Sequence, residues 1–188
     1  MRWLTLYARS RQVPGSAAAI ALVSLALWVL HSPGPMDLGT AVLVLTANVA
    51  AASAGLGGWD VALERTAAIR WMPRRAAHVL LIGAAAGLAL LTVQTVGVEL
   101  APTAVVVRDS AGLVGLAALG AALFGAQFAW TPPTAWLAVT LLVPVPDGRV
   151  GEVVHWMLFP SGTSASAAIA WALLATGTVA YAVAGPRR

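Results

Sequence analysis

Long apolar runs separated by short polar turns dominate the chain. Six such runs are bounded by proline, glycine or charged residues, which commonly punctuate helices. A helix needs about 20 mostly apolar residues to cross a bilayer. Six spans are therefore predicted, at residues 14–30, 38–56, 76–98, 110–130, 134–145 and 164–184. The predicted fold class is all-α, a polytopic membrane protein with one transmembrane domain over residues 1–188.

The predicted fifth span is short, because Pro133 and Pro144 leave too few residues between them to cross a bilayer. The segment 148–160 follows this span. Its apolar residues recur at helical spacing, with Arg149 and Glu152 off the stripe. The stripe consists of Val150, Val153, Val154, Met157 and Leu158. This pattern predicts an amphipathic helix that dips into the outer leaflet and caps the fifth span.

The segment 59–75 is a charged stretch between the predicted second and third spans, and it reads WDVALERTAAIRWMPRR. Gly57 and Gly58 end the preceding apolar run, and Pro73 is predicted to stop a helix that begins near Asp60. The acidic residues come early and most arginines late, which is the order that the helix dipole favours. The sequence therefore predicts a short charged helix between two spans.

The first 13 residues are too polar for a span, and an interfacial helix on the inner leaflet is predicted there. A secretory signal is the alternative interpretation, because a basic start precedes an apolar run. The arginine distribution favours six spans with both termini in the cytoplasm. In that topology nine arginines fall on the inner side and two, Arg108 and Arg149, on the outer side.

Composition agrees with an integral membrane protein, since 60 % of the residues are hydrophobic, 10 % are charged and the mean hydropathy is +0.84. The pI of 11.1 comes from arginines at span ends, so no nucleic-acid partner is predicted. Basicity carried by arginine alone, with abundant alanine, glycine and valine, is typical of GC-rich bacterial genomes. A bacterial cell membrane is therefore the expected location.

Two residue types are missing from the chain. Without cysteine, there are no disulfides, thiol catalysis or thiolate metal sites. Without lysine, there is no P-loop and no Schiff-base chemistry. The histidines fall in or beside separate loops, and Ser161, Ser164 and Ser166 are interpreted as caps of the sixth span. No catalytic residue, cofactor or metal site is predicted, and the chain is not expected to be an enzyme.

Polar residues within the predicted spans are neutral, because the sequence places the ionisable residues at or near span ends. Arg108 and Asp109 are assigned to a loop at residues 99–109. A carrier driven by ions or protons usually buries such groups, so a self-driven carrier is disfavoured. A transport path is predicted along Thr46, Asn48, Gln94 and Gln127. The alternative for Asn48 is a hydrogen bond between helices.

Small residues that recur every four positions predict where spans pack closely. In the second span these are Ala47, Ala51 and Gly55, and in the third they are Gly83 and Gly87. The fourth span has the longest series, Ala117, Ala121, Gly125 and Ala129. Packing within the chain is the main interpretation, and a dimer face is the alternative.

The plan resembles that of the membrane permeases of six-span, type-two-class ABC exporters. Glu64-Arg65 followed by Pro73-Arg74-Arg75 resembles the coupling stretch of that family, and an interfacial helix precedes the first span. The resemblance implies a permease that exports a small hydrophobic, drug-like or peptide substrate. It also implies that Asp60, Glu64, Arg65 and Arg70 dock on a separate cytoplasmic ATPase. A second permease, identical or paralogous, would complete the path across the lipid bilayer.

Two other functions fit the same residues. The first is the substrate-binding subunit of an energy-coupling vitamin importer, which resembles this chain in length and span number. Such subunits contact a scaffold protein through small residues of the first span, where this chain has Ala17, Ala18, Ala19 and Ala21. The second is a non-transporting immunity or assembly factor of the membrane.

Overall fold

Helices account for the secondary structure in the computed structural model, which describes residues 12–30, 37–57, 71–97, 99–145 and 147–187. Within these ranges there is no β-strand. The α-helices are α1 (Val13–Leu30), α2 (Leu38–Ser53), α3 (Trp71–Thr95), α4 (Thr103–Phe124), α5 (Thr131–Leu142), α6 (Arg149–Val154) and α7 (Ser164–Ala184). Short 3₁₀ turns follow α2 and precede α5, at Ala54–Leu56 and Ala126–Phe128.

Five helices in the described ranges are long and apolar enough to cross a membrane. They are Val13–Leu30, Leu38–Leu56, Trp71–Thr95, Thr103–Phe124 and Ser164–Ala184. The predicted fifth span corresponds to α5, which has 12 residues and is therefore only about 18 Å long. The described part of the chain thus has an all-helical, membrane-embedded fold in which one predicted span stops short.

Helix α4 forms the centre of the bundle. Its most apolar window is 83 % buried, against 6 % for α1 at the periphery. Glycines allow neighbouring helices to approach α4 closely. Gly83 of α3 lies against Val114, and Gly115 lies against Leu173 and Gly177 of α7. The predicted close packing of α3 at Gly83 and Gly87 is confirmed. The close approach of α4 and α7 at Gly115 and Gly177 was not predicted.

Helices α2, α4 and α7 run in the same direction. We call the end of the bundle where they start the Thr103 end, and the end where they finish the Leu56 end. At the Leu56 end, side chains bind carbonyl groups at the ends of these helices. The Tyr181 hydroxyl donates to the Leu56 carbonyl, and His78 Nε2 bonds to the Gly55 carbonyl at 3.0 Å. These bonds satisfy carbonyls that a helix end leaves without an intrahelical partner.

Two predicted boundaries are wrong at α4. The helix starts at Thr103 rather than at residue 110, directly after Pro102, whose extended backbone occupies the N-cap position. It ends at Phe124, because Gly125 turns the chain with φ +102°. Gly125 and Ala129 therefore lie beyond the helix and do not extend its series of small residues. The N-terminal extension has the larger consequence, since it places Arg108 and Asp109 inside a candidate span.

The role predicted for Pro73 is also wrong. The described part of α3 runs from Trp71 through Pro73 to Thr95, so Pro73 lies within a helix and does not stop one. The predicted docking residues Asp60, Glu64, Arg65 and Arg70 fall outside the described residues, as does the predicted interfacial helix before residue 12.

The predicted amphipathic helix at residues 148–160 is wrong beyond Val154, where α6 ends after six residues. Val150 and Val153 are exposed, while His155, Trp156 and Met157 are buried. The buried residues belong to a turn and not to a helical stripe, because tertiary contacts hold the chain there. The serines also differ from the prediction, since Thr163 occupies the N-cap position of α7 and no side chain caps it.

Candidate functional site

The four residues of the predicted transport path do not form one site. The side-chain oxygen of Gln94 accepts hydrogen bonds from the backbone N–H groups of Leu100 and Ala101, at 3.0 and 2.8 Å. Gln94 therefore holds the turn between α3 and α4 at the Thr103 end. Gln127 is exposed in the 3₁₀ turn near the Leu56 end. These two residues lie at opposite ends of the bundle.

Thr46 and Asn48 are buried in α2, and their side-chain polar atoms have no hydrogen-bond partner among the described residues. Positions two apart in a helix are rotated by about 200°, so the two side chains leave α2 on different sides. Burying an amide without a hydrogen bond costs free energy of folding. Such groups in native proteins usually have a structural or functional explanation. Both residues remain candidates for a polar path.

The residues between α5 and α7 form the irregular part of the bundle, and we call residues 149–163 the re-entrant segment. Helix α5 begins at the Leu56 end and stops after 12 residues. The re-entrant segment contacts the C-terminal end of α5. Trp136 Nε1 donates to the Val154 carbonyl at 2.9 Å, and His155 Nε2 bonds to the Val143 carbonyl at 2.9 Å. Side chains therefore satisfy backbone carbonyls on both sides of the turn.

Contacts with α4 fix how far the re-entrant segment reaches into the bundle. The ring of Trp156 lies against Gly112, where an added Cβ would be 2.3 Å from ring atom Cη2. Gly112 is nine residues after Thr103, which corresponds to about 14 Å along the helix. Trp156 is fully buried at that level. The segment therefore enters the space between the candidate spans and returns to the Thr103 end.

Arg108 attaches this segment to α4. Its side chain is 4 % exposed and all three guanidinium nitrogens are bonded. Nη1 donates to the carbonyls of Phe159 at 2.9 Å and Pro160 at 3.2 Å, and Nη2 donates to that of Met157 at 3.2 Å. A planar fork with five donors suits this arrangement better than an ammonium group would.

Asp109 provides the negative charge of the cluster. Its Oδ1 accepts a bond from Arg108 Nε at 2.7 Å, and its side chain is fully buried. The pair balances its own charge, which makes burial of two ions tolerable. Sequence reasoning missed this site because residues 99–109 were assigned to a loop. Pro102 directly before Thr103 was the available signal, since proline commonly marks the start of a helix.

A separate apolar cleft lies between α3, α4 and α7. Its volume is about 360 Å³. It is lined mainly by Leu80, Gly83, Gly87, Leu88, Trp171 and Leu174. Such a cleft can receive an apolar group or a lipid chain, but it has no cluster of polar groups to orient a ligand.

No group of three or more metal-ligating side chains comes together among the described residues. Comparison with family models, with characterised proteins and with solved structures gave no match.

Proposed function

We propose that this chain is the membrane permease subunit of an ATP-driven transporter of the bacterial cell membrane. Its expected cargo is a small hydrophobic, drug-like or peptide substrate, which it exports. The observation that carries the proposal is the re-entrant segment, held between candidate spans by the buried Arg108 and Asp109 pair.

Irregular backbone and ionised side chains are both expensive inside a bilayer. Non-helical backbone occurs at membrane depth only where protein buries it or where it lines a water-filled cavity. Charged residues within spans commonly mark substrate or ion paths. A helix bundle that only anchored a protein in the membrane would need neither a re-entrant segment nor a buried ion pair. Transporters commonly combine interrupted helices with polar groups between spans.

The energy source and the second subunit follow from other parts of the chain. Arginines concentrate at the Leu56 end, which we place in the cytoplasm. The connection between α2 and α3 leaves from that end, so a cytoplasmic ATPase would bind its charged residues Asp60, Glu64, Arg65 and Arg70 there. Helix α1 buries only Leu27 among its residues, which leaves most of its surface for lipid or for a second permease.

A carrier driven by an ion gradient is the second candidate, and Arg108 with Asp109 is the observation that favours it. The sequence argument against such a carrier placed this pair in a loop, whereas it lies in the second turn of α4 and is buried. Arg108 is also bonded to three carbonyls of the re-entrant segment, however, which favours a role for the pair in holding that segment. ATP-driven transport therefore remains the leading proposal.

Purification of the tagged full chain from its native membranes, followed by transport in proteoliposomes, tests the proposal. We expect an ATPase to co-purify and substrate movement to require ATP at zero ion gradient. Transport that follows an imposed proton or sodium gradient without ATP would favour the carrier. A chain that binds a small ligand tightly without retaining any ATPase would favour the vitamin-importer interpretation.

A further inference from the structure

The apolar cleft between α3, α4 and α7 is closed toward the Leu56 end, because α3 and α7 meet there. Arg75 Nη1, near the start of α3, donates to the carbonyl of Ala182, near the end of α7, at 3.5 Å. Farther toward the Thr103 end the cleft separates these helices, and it is lined by Leu88 of α3 and Trp171 of α7. The cleft therefore runs along one half of the bundle.

Exposed side chains form the rim of the cleft, and buried residues form its floor. At the rim, Leu88 is 62 % exposed and Trp171 is 49 % exposed. At the floor, Gly83 and Gly87 of α3 are buried against α4. The Cβ position of Gly87 is 3.1 Å from Ser110 Oγ, so these small residues already serve packing within the chain. They do not provide a face for close packing of another helix.

The width of the cleft distinguishes a hydrocarbon chain from a helix. Its lining runs along α3 from Leu80 to Leu91, which is about 16 Å of helix. A volume of about 360 Å³ over that length gives a mean cross-section of about 22 Å², or a width of about 5 Å. A helix with its side chains is about 10–12 Å wide and does not fit. A single hydrocarbon chain does fit, since carbon atoms in contact lie about 4 Å apart.

The length and depth of the cleft match one leaflet of a bilayer. The hydrocarbon core is about 30 Å thick, so one leaflet accounts for about 15 Å. Leu91 lies one turn before Thr95, the last residue of α3, and Leu80 lies near the middle of that helix. The cleft therefore extends from the middle of the span to the membrane surface at the Thr103 end.

A second cavity of about 410 Å³ continues the cleft at that surface. Leu91 lines both cavities. On α3 the lining continues from Leu91 to Thr95, and on α4 Thr103 precedes Val107 by one helical turn. Residues four apart lie on the same face of a helix, so each helix presents one continuous face to both cavities.

The second cavity supplies the polar groups that the cleft itself lacks. Gln94, Thr95 and Thr103 line it, together with the exposed carboxylate of Glu99. Among the described residues that line this cavity, Glu99 is the charged one. A carboxylate binds an ammonium group through charge-assisted hydrogen bonds, and a threonine hydroxyl can donate to a phosphate oxygen. A primary ammonium group suits Glu99 better than a quaternary one, which has no N–H to donate.

We propose that the cleft and the second cavity form a binding site for one phospholipid with an ethanolamine headgroup. One acyl chain lies in the cleft over α4, and the ammonium group lies beside Glu99. The site requires only the folded chain and a bilayer, and it does not depend on the proposed ATPase.

Photochemical labelling of the full chain in nanodiscs tests the acyl-chain site. The probe is phosphatidylethanolamine with a diazirine in one acyl chain, diluted into phosphatidylglycerol, and labelled residues are mapped by mass spectrometry. We expect labelling to concentrate on the residues that line the cleft. Ala84→Phe fills the cleft from an exposed position and should reduce this labelling several-fold. Ala172→Phe is the control, because Ala172 is exposed on α7 beside Trp171 but does not line the cleft.

Labelling that is spread evenly over the exposed faces of the candidate spans, or that Ala84→Phe leaves unchanged, overturns the proposal. Ala84→Cys in this cysteine-free chain tests a different occupant. Disulfide-linked dimers of that variant after oxidation would identify a second copy in the cleft and would also overturn the lipid site.

The headgroup is tested with a second probe that has the same diazirine chain and a glycerol headgroup. We expect the ethanolamine probe to label the cleft several-fold more than the glycerol probe does. Glu99→Gln keeps the size of the side chain and removes its charge, so it should abolish that preference. Equal labelling by the two probes in the parent chain, or a preference that survives Glu99→Gln, contradicts the assignment. None of these measurements requires ATP, so their outcome is separate from that of the transport test.

Discussion

Trp156 and Gly112 are 44 positions apart in the sequence, yet the six-membered ring of the Trp156 indole lies against Gly112 in α4. The contact exists because glycine has no Cβ, which would lie 2.3 Å from ring atom Cη2. It sets the depth of the re-entrant segment, and it makes Gly112 the position at which that segment is most sensitive to added volume.

Gly112→Ala should therefore destabilise the protein, because the buried ring has to shift and overpacking costs about 1–3 kcal/mol. Thermal unfolding in detergent or nanodiscs measures the change. Gly162→Ala is the matched control, since no heavy atom lies within 4 Å of its Cβ position. Equal Tm values for the two variants would show that Trp156 does not rest on α4.

The crossing of α4 and α7 should tolerate a methyl group even less. A Cβ on Gly177 would lie 2.1 Å from the Gly115 carbonyl oxygen, and backbone cannot rotate away as a side chain can. A Cβ on Gly83 meets the Val114 side chain at 2.8 Å. We expect Gly177→Ala to lower Tm more than Gly83→Ala does. The reverse order would contradict the close crossing of the two helices.

Removing one charge of the buried pair should be worse than removing both. Asp109→Leu leaves Arg108 buried without its counter-charge, and breaking a buried pair costs about 3–5 kcal/mol. Replacing both partners, in Arg108→Met with Asp109→Leu, leaves no unpaired ion. The Tm of the double variant should therefore exceed that of Asp109→Leu. A further decrease in the double variant would mean that Arg108 binds the re-entrant carbonyls independently of Asp109.

Glu64 should contribute to binding of the proposed ATPase. Glu64→Arg reverses the charge of the predicted coupling helix, and charge-assisted hydrogen bonds are worth about 1.5–3 kcal/mol. We expect loss of co-purified ATPase and of export, with normal insertion into the membrane. Glu99→Arg is the control, because Glu99 is an exposed residue at the Thr103 end. If both variants retain the ATPase, the segment 59–75 is only a connection.

Topology can be tested in the same cysteine-free background. Single cysteines at positions 70 and 149 report the two sides of the membrane when intact cells are treated with an impermeant maleimide. We expect labelling at Arg149→Cys and none at Arg70→Cys until the cells are permeabilised. The opposite pattern would invert the proposed orientation and place the Leu56 end outside.

Hydropathy together with local turn and capping signals determined three of the predicted spans to within one residue. The predicted span at residues 164–184 coincides with α7, and the spans at 14–30 and 38–56 differ from the candidate spans by at most one residue. These boundaries depend on local signals, such as Asp37, whose side chain accepts a hydrogen bond from Thr40 N at the start of α2. A local signal of this kind is readable from the sequence because its partner lies within one helical turn.

The position of Arg108 and Asp109 was decided by tertiary structure. A charged pair after a proline and a run of valines predicts a loop when only neighbouring residues are considered. Helix α4 includes the pair because the groups that bind Arg108 are carbonyls 49 to 52 residues later in the chain. Tertiary structure also decided where α6 ends. The helix stops at Val154 because Trp156 is buried against Gly112, although the amphipathic pattern continues in the sequence. Hydropathy thus determined which segments are apolar enough to cross a membrane, whereas the partners available inside the bundle decided which polar groups could be buried with them.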